Sequence, residues 1–446
     1  MSPAARTTDR PLACVVMAGG KGTRMRSALP KVLHPIWGRP LLGWVLAAVR
    51  GAGAERVVAV VPPDAAEAVA AVADGADTVV QRDQLGTGDA VRCALPLLEG
   101  FDGDVLVVSG DTPLLTDELL RGLVADHAAA GAAATIATFR TAEPGAYGRV
   151  IRDAGGVRVV EAKDATPDEL AVDEVNAGLY VFDAAALRTA LAAIGNDNAA
   201  GEYYLPDAVP AIAAAGGAVA ASLVDDAALL LGVNTRVELA EAAAIIRGRI
   251  LEEHMLAGAG IVDPATTYID ADVVLEPDCV VHPFTTLRGA TRLAAGAEAG
   301  PSSLLDGAVL DAGAKAGPFA HLRPGTHLHA GARVGAFAET KNAEVGERSK
   351  IPHLSYVGDA EIGVDTNIGA GNITANYDGT TKHRTVIGDR VRTGSDCVFV
   401  APVEVGDDAT TGAGSIITDD VPAEALAIAR ARQVVKEHYA KRKRDV

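Results

Sequence analysis

Hydrophobic positions follow two different patterns in the two halves of this 446-residue chain. From about residue 11 to residue 235, short apolar runs alternate with segments in which alanine and leucine recur at helical spacing. This alternation predicts an α/β domain with a mainly parallel sheet, whose ligands bind at the carboxyl ends of the strands. The predicted strands are 12–18, 56–61, 104–111 and 134–139. The predicted helices are 43–53 and 64–75.

After residue 260 an aliphatic residue recurs at every sixth position, often followed by glycine. This period fits neither an α-helix nor an alternating strand, and it predicts a parallel β-helix in which each hexad forms one side of a triangular coil. The phase breaks between residues 374 and 387, where we expect a protruding loop. The main hexad series are Ile269, Leu275, Val281, Leu287 and Leu293; Leu304, Leu310, Ala316, Leu322, Leu328 and Val334; and Ile387, Thr393, Phe399, Val405, Thr411 and Ile417.

These patterns predict five segments. Residues 1–10 lack the apolar stretch of a signal peptide and are expected to be a disordered tail. An α/β domain over 11–235 is followed by a linker helix over 236–257, in which aliphatic residues recur at three- and four-residue spacings. A β-helix over 258–422 and a C-terminal tail over 423–446 complete the chain.

Composition excludes some classes of function. The net charge of −18 argues against a general nucleic-acid binder or membrane-surface binder, but a local cluster of cations is enough for a small anionic substrate. The four cysteines are far apart and form no CxxC pair, which favours reduced thiols in a cytoplasmic protein. No uncharged apolar stretch is long enough to predict a transmembrane helix.

The segment VVMAGGKGTRM at 15–25 places bare backbone beside positive charge. Its spacing matches neither the P-loop pattern GxxxxGK[ST] nor the dinucleotide-binding pattern GxGxxG. Together with PKVLHPIWGRP at 30–40, it resembles the sugar-nucleotidyltransferase signature GxGTRxxxxxPK. The backbone amides of Gly19, Gly20 and Gly22 suit a triphosphate. The side chains of Arg24 and Lys31 can neutralise its charge.

Other motifs of this half suit a nucleotide-sugar site. SGD at 109–111 places Asp111 at a strand end, where a carboxylate can hold Mg²⁺, and GVNT at 232–235 offers Asn234 as a second ligand. Taken alone, Asp111 is equally compatible with a helix cap, and Asn234 with a turn. QLGTGDA resembles a uracil-reading segment, and AYGRV, EAKDA and NAGLY resemble sugar-recognition segments.

The β-helix half carries polar residues that a purely structural solenoid does not require. Each one alone is compatible with an ordinary surface, but together they match the acetyltransferase half of a known family. They are Arg323, Lys341, His353, Tyr356, Asn367, Asn376, Tyr377 and Lys382.

From about residue 11 to residue 437 the chain resembles the bacterial bifunctional N-acetylglucosamine-1-phosphate uridyltransferases/glucosamine-1-phosphate acetyltransferases. The resemblance implies a Rossmann-like nucleotidyltransferase domain followed by a left-handed parallel β-helix. It implies acetyl transfer from acetyl-CoA to glucosamine 1-phosphate, and then Mg²⁺-dependent uridylyl transfer from UTP to N-acetylglucosamine 1-phosphate with release of pyrophosphate. It further implies a cytoplasmic homotrimer that binds neither nucleic acid nor membrane and whose product feeds cell-wall and envelope synthesis.

The resemblance also implies roles for individual residues. Lys31 and Arg24 would stabilise the phosphates, Asp111 and Asn234 would bind Mg²⁺, and His353 would be the general base, because the ordinary pKa of histidine is close to working pH. The UTP and UDP-sugar ligands would be Ala18, Gly19, Gly20, Gly22, Lys31, Gln81, Gly86, Thr87, Gly148, Glu161, Asn176 and Asn234. The acetyl acceptor would contact Arg323, Lys341, Tyr356, Asn367 and Lys382, and acetyl-CoA would contact Ala370, Asn376, Tyr377, Ser395, Ala413 and Arg430.

Two other functions stay open on the residues alone. A single-activity nucleotidyltransferase would use its β-helix only for assembly or regulation, and a scaffold subunit would catalyse nothing. The first predicts loss of the His/Lys/Asn set and the second predicts loss of the phosphate-site cations, whereas both sets are present. The chain departs from many relatives at Asn372 and Ala375, where threonine and cysteine are common.

Overall fold

The computed structural model describes residues 10–20, 22–73, 75–153 and 156–444. Most of the predicted N-terminal tail, residues 1–10, therefore lies outside the described residues. Its last residue, Arg10, forms ion pairs with Asp104 at 3.1 Å and with Asp183 at 2.7 Å. The chain divides into two compact units, Met1–Ile246 and Arg247–Val446.

The first unit is built on a nine-stranded mixed sheet. Its strands are β1 (Leu12–Met17), β2 (Arg56–Val61), β3 (Asp77–Val80), β4 (Asp104–Ser109), β5 (Ala134–Arg140), β6 (Arg149–Asp153), β7 (Gly156–Val160), β8 (Glu174–Asp183) and β9 (Val219–Leu223). The main order is β9-β5-β8-β4-β1-β2-β3, and β6 and β7 form a hairpin beside β8. The four strands from β4 to β3 are parallel, as predicted, whereas β8 runs antiparallel to both neighbours. The apolar pattern gives no strand direction, so it does not predict this reversal.

Helices cover both faces of this sheet, because the central parallel strands β1 and β4 are buried on both sides along nearly their whole length, whereas the edge strand β3 is mostly exposed. The predicted helix at 64–75 is shorter in the structure, where the prolines at 62 and 63 lead into a 3₁₀ turn before α2. The helices of the first unit are α1 (Leu41–Gly51), α2 (Ala66–Ala70), α3 (Thr87–Ala94), α4 (Asp117–Ala129), α5 (Pro167–Leu170), α6 (Ala184–Ala193) and α7 (Ala208–Ala214).

Helix α8 (Arg236–Leu256) contains the boundary between the two units. Its first turn is fixed by a reciprocal cap, in which Thr235 N donates to Glu238 at 2.8 Å and Glu238 N donates to the Thr235 hydroxyl at 3.2 Å. Among the described residues, no helix has the length and apolar character needed to cross a membrane.

The second unit is a parallel β-helix with three faces. Tyr268 pairs with Thr286 and Val274 pairs with Arg292, so one full coil spans 18 residues, or three hexads. The first face contains Gly260–Ile261, Val280–Val281, Glu298–Ala299, Lys315–Ala316, Arg333–Ala336, Lys350–His353, Thr410–Thr411 and Leu426–Ala427. The second contains Tyr268–Ile269, Thr286–Arg288, Leu304–Asp306, His321–Leu322, the start of Glu339–Val345, the start of Tyr356–Ile362, Ile373–Ala375, Val398–Val400 and Ile416–Ile417. The third contains Val274–Leu275, Arg292–Leu293, Val309–Leu310, Thr326–Leu328, the ends of the two long strands, Thr385–Ile387 and Val403–Val405.

The structure corrects the hexad phase at one point and a boundary at another. Leu305, not the predicted Leu304, points into the core, because the next side of the coil is one residue short and reaches the core again at Leu310. The expected loop lies between Ala375 and Thr385. The coil extends beyond the predicted boundary at residue 422, because Leu426–Ala427 pairs with Thr410–Thr411. A short helix, α9 (Tyr439–Arg442), follows in the C-terminal segment.

Candidate functional sites

The glycine-rich loop follows β1 at the carboxyl edge of the parallel strands. Gly22 has a positive φ of 56°, and a Cβ there would lie 2.7 Å from the Cβ of Lys31, so only glycine allows the two segments to pack this closely. Around Gly20, by contrast, nothing lies within 4 Å of such a Cβ. Its bare backbone faces open space rather than a protein neighbour, which leaves room for a ligand.

Four polar side chains meet beside this loop, and we call them the phosphate-site cluster: Arg24, Lys31, Asp111 and Asn234. The Lys31 ammonium forms an ion pair with Asp111 and lies 3.1 Å from the side-chain oxygen of Asn234. Arg24 donates to the same oxygen at 3.0 Å. Both members of the ion pair are largely buried, with 11% and 15% of their side chains exposed. The predicted cations and metal ligands of this half therefore form one group.

A cavity of about 410 Å³ lies beside the loop and includes Gly19, Gly20, Gln81, Gly86 and Thr87 in its walls. The side-chain nitrogen of Gln81 donates to the carbonyl of Gly86 at 2.9 Å, so this hydrogen bond fixes the segment 81–86 that forms one wall of the cavity. The Thr87 hydroxyl accepts from the backbone of residue 205 at 3.0 Å. Ala18 is buried, its N–H donates to the Val60 carbonyl, and it is not among the residues that line this cavity.

A second cavity, of about 440 Å³, shares Met17, Thr87 and Ser109 with the first. Its walls contain Gly148, Glu161, Asn176 and the phosphate-site cluster members Arg24, Asp111 and Asn234. The Asn176 side chain donates to the Tyr180 hydroxyl at 2.6 Å. Burial, and then the carboxylates of Asp207 and Asp164, raise the pKa of Glu161. The phosphate-site cluster is connected to both cavities through Ser109, which lines both of them and donates to Asp111 at 2.6 Å.

Three cations lie together on the β-helix, and we call them the cationic group: Arg323, Lys341 and Lys382. The Lys382 ammonium, and after it the charge of Arg323, hold the pKa of Lys341 below its usual value. Glu339 pairs with Arg323 at 2.8 Å. Like charges placed this close favour binding of an anion.

The loop after Ala375 brings Lys382 to this group. Tyr377 and Lys382 form an antiparallel bridge across the loop, and the Asn376 side chain donates to Asp359. Burial alone would raise the pKa of Asp359, but hydrogen bonds from Asn342 and Asn376, with the nearby lysines, hold it below its usual value. The Tyr356 hydroxyl lies against Gly358, which pairs with Lys341 in the preceding coil.

His353 lies at the end of the first face, with its side chain exposed. Backbone hydrogen bonds stack its row from coil to coil: Gly371 N donates to the His353 carbonyl, Asp396 N to that of Ala370, and Gly414 N to that of Ser395. Three of the predicted acetyl-CoA residues, Ala370, Ser395 and Ala413, therefore follow His353 along one edge, and Arg430 lies beside Gly414. Asn367 lies elsewhere on that face, paired with Lys350 and Arg392.

Several residues of these sites were not singled out from the sequence. Gln84 donates to the Gly19 carbonyl at 2.9 Å, and Tyr147 lines the second cavity. Gln84 belongs to the segment QLGTGDA and Tyr147 to AYGRV, so membership of these motifs is the signal that points to both residues. Glu202 lines the first cavity from a distant loop, and only the tertiary fold brings it there. The sequence likewise gives no indication of Asp359, because its partners Asn342 and Asn376 come from neighbouring coils.

Comparison with known proteins agrees with this two-part architecture. A MobA-like NTP transferase domain family matches residues 14–202, and the bacterial transferase hexapeptide family matches residues 384–419. Three similar proteins all carry the name bifunctional protein GlmU. They come from Kineococcus radiotolerans (50% identity over 97% of this chain and 93% of the relative), Streptomyces avermitilis (49%, over 98% and 95%) and Pelobacter propionicus (48%, over 96% and 98%). The family resemblance and the fold class predicted from the sequence are thereby confirmed, and the chain belongs to the GlmU family of bifunctional proteins.

Proposed function

We propose that the first unit transfers a uridylyl group from UTP to N-acetylglucosamine 1-phosphate, and that the second unit acetylates glucosamine 1-phosphate to supply that acceptor. The observation that carries the first half is the phosphate-site cluster, three members of which line the second cavity and which contacts Ser109 in the wall of both cavities. One cavity suits the nucleotide and the other suits the sugar, so the reacting phosphates would lie between them, beside Lys31 and Arg24.

The uridylyl transfer needs little covalent participation from the protein. A phosphate oxygen of the sugar phosphate attacks the α-phosphorus of UTP, a new P–O bond forms and pyrophosphate leaves. Lys31 and Arg24 stabilise the charge that spreads over the phosphate oxygens, and the cavities hold the two substrates in line.

Asp111 and Asn234 suit Mg²⁺, because a carboxylate and an amide oxygen are hard donors and both lie within reach of the same ammonium group. When bound, the ion supplies further neutralisation of phosphate charge. The Lys31 ammonium contacts both oxygens, so the site already accommodates a positive charge. Release of Lys31 from this pair would leave it free to bind phosphate.

In the second unit, the cationic group would bind the phosphate of glucosamine 1-phosphate, with Tyr356 and Asn367 at its hydroxyls. His353 takes a proton from the amine, whose nitrogen then attacks the thioester carbonyl carbon of acetyl-CoA. The C–S bond breaks and CoA leaves as a thiol after protonation. Asn376 and Tyr377 would orient the reacting groups, and the edge formed by Ala370, Ser395, Ala413 and Arg430 would hold the cofactor.

Except for the buried Asn376, these groups are exposed or half-buried in the single chain, which supports a homotrimer in which neighbouring subunits complete each site. The trimer would act in the cytoplasm, where its product would serve envelope synthesis. The proposal is tested by supplying glucosamine 1-phosphate, acetyl-CoA, UTP and Mg²⁺ to purified protein and following CoA and pyrophosphate separately. Release of both products, with pyrophosphate dependent on acetyl-CoA, supports it. Pyrophosphate release only from preformed N-acetylglucosamine 1-phosphate, without free CoA, would favour the single-activity alternative.

A further inference from the structure

Outside both candidate sites, the β-helix carries what we call the histidine–carboxylate cluster: Asp311, His327, His329 and Glu344. Leu328 points into the core and is fully buried, so the alternation of the strand turns His327 and His329 outward side by side. Their ring centroids are 4.1 Å apart. Asp311 lies in the preceding coil and Glu344 in the following one.

Each carboxylate contacts both rings. One oxygen of Asp311 lies 3.0 Å from Nε2 of His327, and its other oxygen lies 3.2 Å from Nδ1 of His329. The remaining ring nitrogens lie 3.3 Å and 3.0 Å from a single oxygen of Glu344. One potential ligand atom from each of Asp311, His327 and His329 lies within 4.8 Å of the others.

We propose that Asp311, His327 and His329 bind a divalent cation of the Zn²⁺ type. Two imidazole nitrogens and one carboxylate oxygen form a donor set that suits zinc, and this set leaves a coordination position open. A metal-bound histidine commonly gives its other ring N–H to a carboxylate, and Glu344 stands in that position for both rings. The rigid stacking of successive coils holds the donors in place without the metal.

The cluster is accessible to an ion from solvent. Its side chains are between 30% and 44% exposed, and His329 and Glu344 also line a cavity of about 740 Å³ on this side of the coil. Ordinary ion pairs between protonated histidines and carboxylates are the competing explanation. They need no metal, so the two explanations differ in whether the protein takes up zinc.

The test is equilibrium dialysis of the untagged full chain against Zn²⁺ near neutral pH, with excess Mg²⁺ present to occupy the oxygen site of the first unit. We expect one zinc ion per chain with micromolar affinity, and a loss of at least about tenfold in His327→Ala and in Asp311→Asn. His282→Ala is the matched control, because His282 is also on the outer surface of the coil, 3.4 Å from Glu298, but has no second histidine. It should bind zinc as the wild type does.

Wild-type protein that binds no zinc at micromolar concentrations would overturn the proposal, as would unchanged affinity in His327→Ala. The isosteric Asp311→Asn variant keeps the test informative if the alanine variant folds poorly. As a second readout, Co²⁺ should give a visible absorption band in wild type and in His282→Ala, and this band should be lost in His327→Ala. Rates of CoA and pyrophosphate release should stay at the wild-type level in all of these variants, which confirms folding.

Discussion

Substitution of Gly86 by alanine tests the account of the nucleotide cavity. Gly86 caps the start of α3 with φ 103° and ψ −178°, a conformation that is essentially restricted to glycine. A Cβ there would lie 2.7 Å from the carbonyl oxygen of Tyr203 and 2.9 Å from the Cβ of Glu202. The same carbonyl accepts from Gly88 N at 2.7 Å, so movement of this segment would also break that hydrogen bond.

The expected cost has two parts. The backbone strain is worth about 1–3 kcal/mol, and the steric overlap adds about 1–3 kcal/mol. Gly201→Ala is the matched control, since Gly201 also has a positive φ, 67°, but nothing lies within 4 Å of its Cβ position. The control should cost only about 1–2 kcal/mol, the price of a left-handed conformation for an L-residue.

Both tryptophans of the chain, Trp37 and Trp44, lie in the first unit, so their fluorescence reports its unfolding selectively. We expect denaturant unfolding of Gly86→Ala to shift further than that of Gly201→Ala, and the KM for UTP to rise only in Gly86→Ala. CoA release should be unchanged in both. Equal shifts in the two variants, with an unchanged KM for UTP, would refute the argument that Gly86 is required by its contact with Tyr203.

Three further predictions concern charge and reactivity. Burial, and then the charge of Arg10, lower the pKa of His127 to about 4, below its unfolded value of about 6.5. The unfolded chain therefore binds more protons, and the stability of the first unit should fall as the pH drops from about 6.5 to about 4. In tryptophan-monitored unfolding, His127→Gln should reduce this dependence of the unfolding free energy on pH. An unchanged pH dependence would contradict the role given to His127. Lys341→Gln should raise the KM for glucosamine 1-phosphate several-fold and leave uridylyl transfer intact. The control Lys315→Gln should change neither property. Equal KM values in wild type and Lys341→Gln would exclude Lys341 from binding the substrate phosphate. The two cysteines of the β-helix are buried, whereas Ala375 is half-buried just before the loop that carries Lys382. Iodoacetamide should therefore leave CoA release intact in wild type and inhibit it in Ala375→Cys. Inhibition of wild type would show that another thiol is involved.

The sequence predicted the architecture well where one local pattern determines the structure. The hexad of aliphatic residues defines the coil because each such residue must fill the interior, as Leu287 and Leu322 do. The pattern failed at Leu304, where the coil is one residue short and the neighbouring Leu305 has the same apolar character. Local pattern cannot distinguish two adjacent leucines, and only the pairing with the neighbouring coils decides between them.

The candidate sites show the same limit. Motif spacing brought out Lys31 and Asp111, which the structure places in contact although 80 residues separate them. Glu202 and Asp359 carry no local signal, since each reaches its site through contacts between distant segments. A sequence motif marks the residues whose chemistry is distinctive, whereas the residues that shape and orient the site depend on tertiary packing.

The central claim is that one chain carries two independent transferase sites, and separate measurement of CoA and pyrophosphate release in Lys31→Ala and His353→Ala tests it most directly. Alanine at position 31 keeps the Cβ that packs against Gly22, so the loop should stay in place while the charge is lost. We predict that Lys31→Ala loses roughly 10²–10³-fold in pyrophosphate release from preformed N-acetylglucosamine 1-phosphate and keeps CoA release. His353→Ala should show the reverse, with a loss of roughly 10²–10⁴-fold in CoA release. Loss of both activities in either variant, or of neither in His353→Ala, would contradict the account.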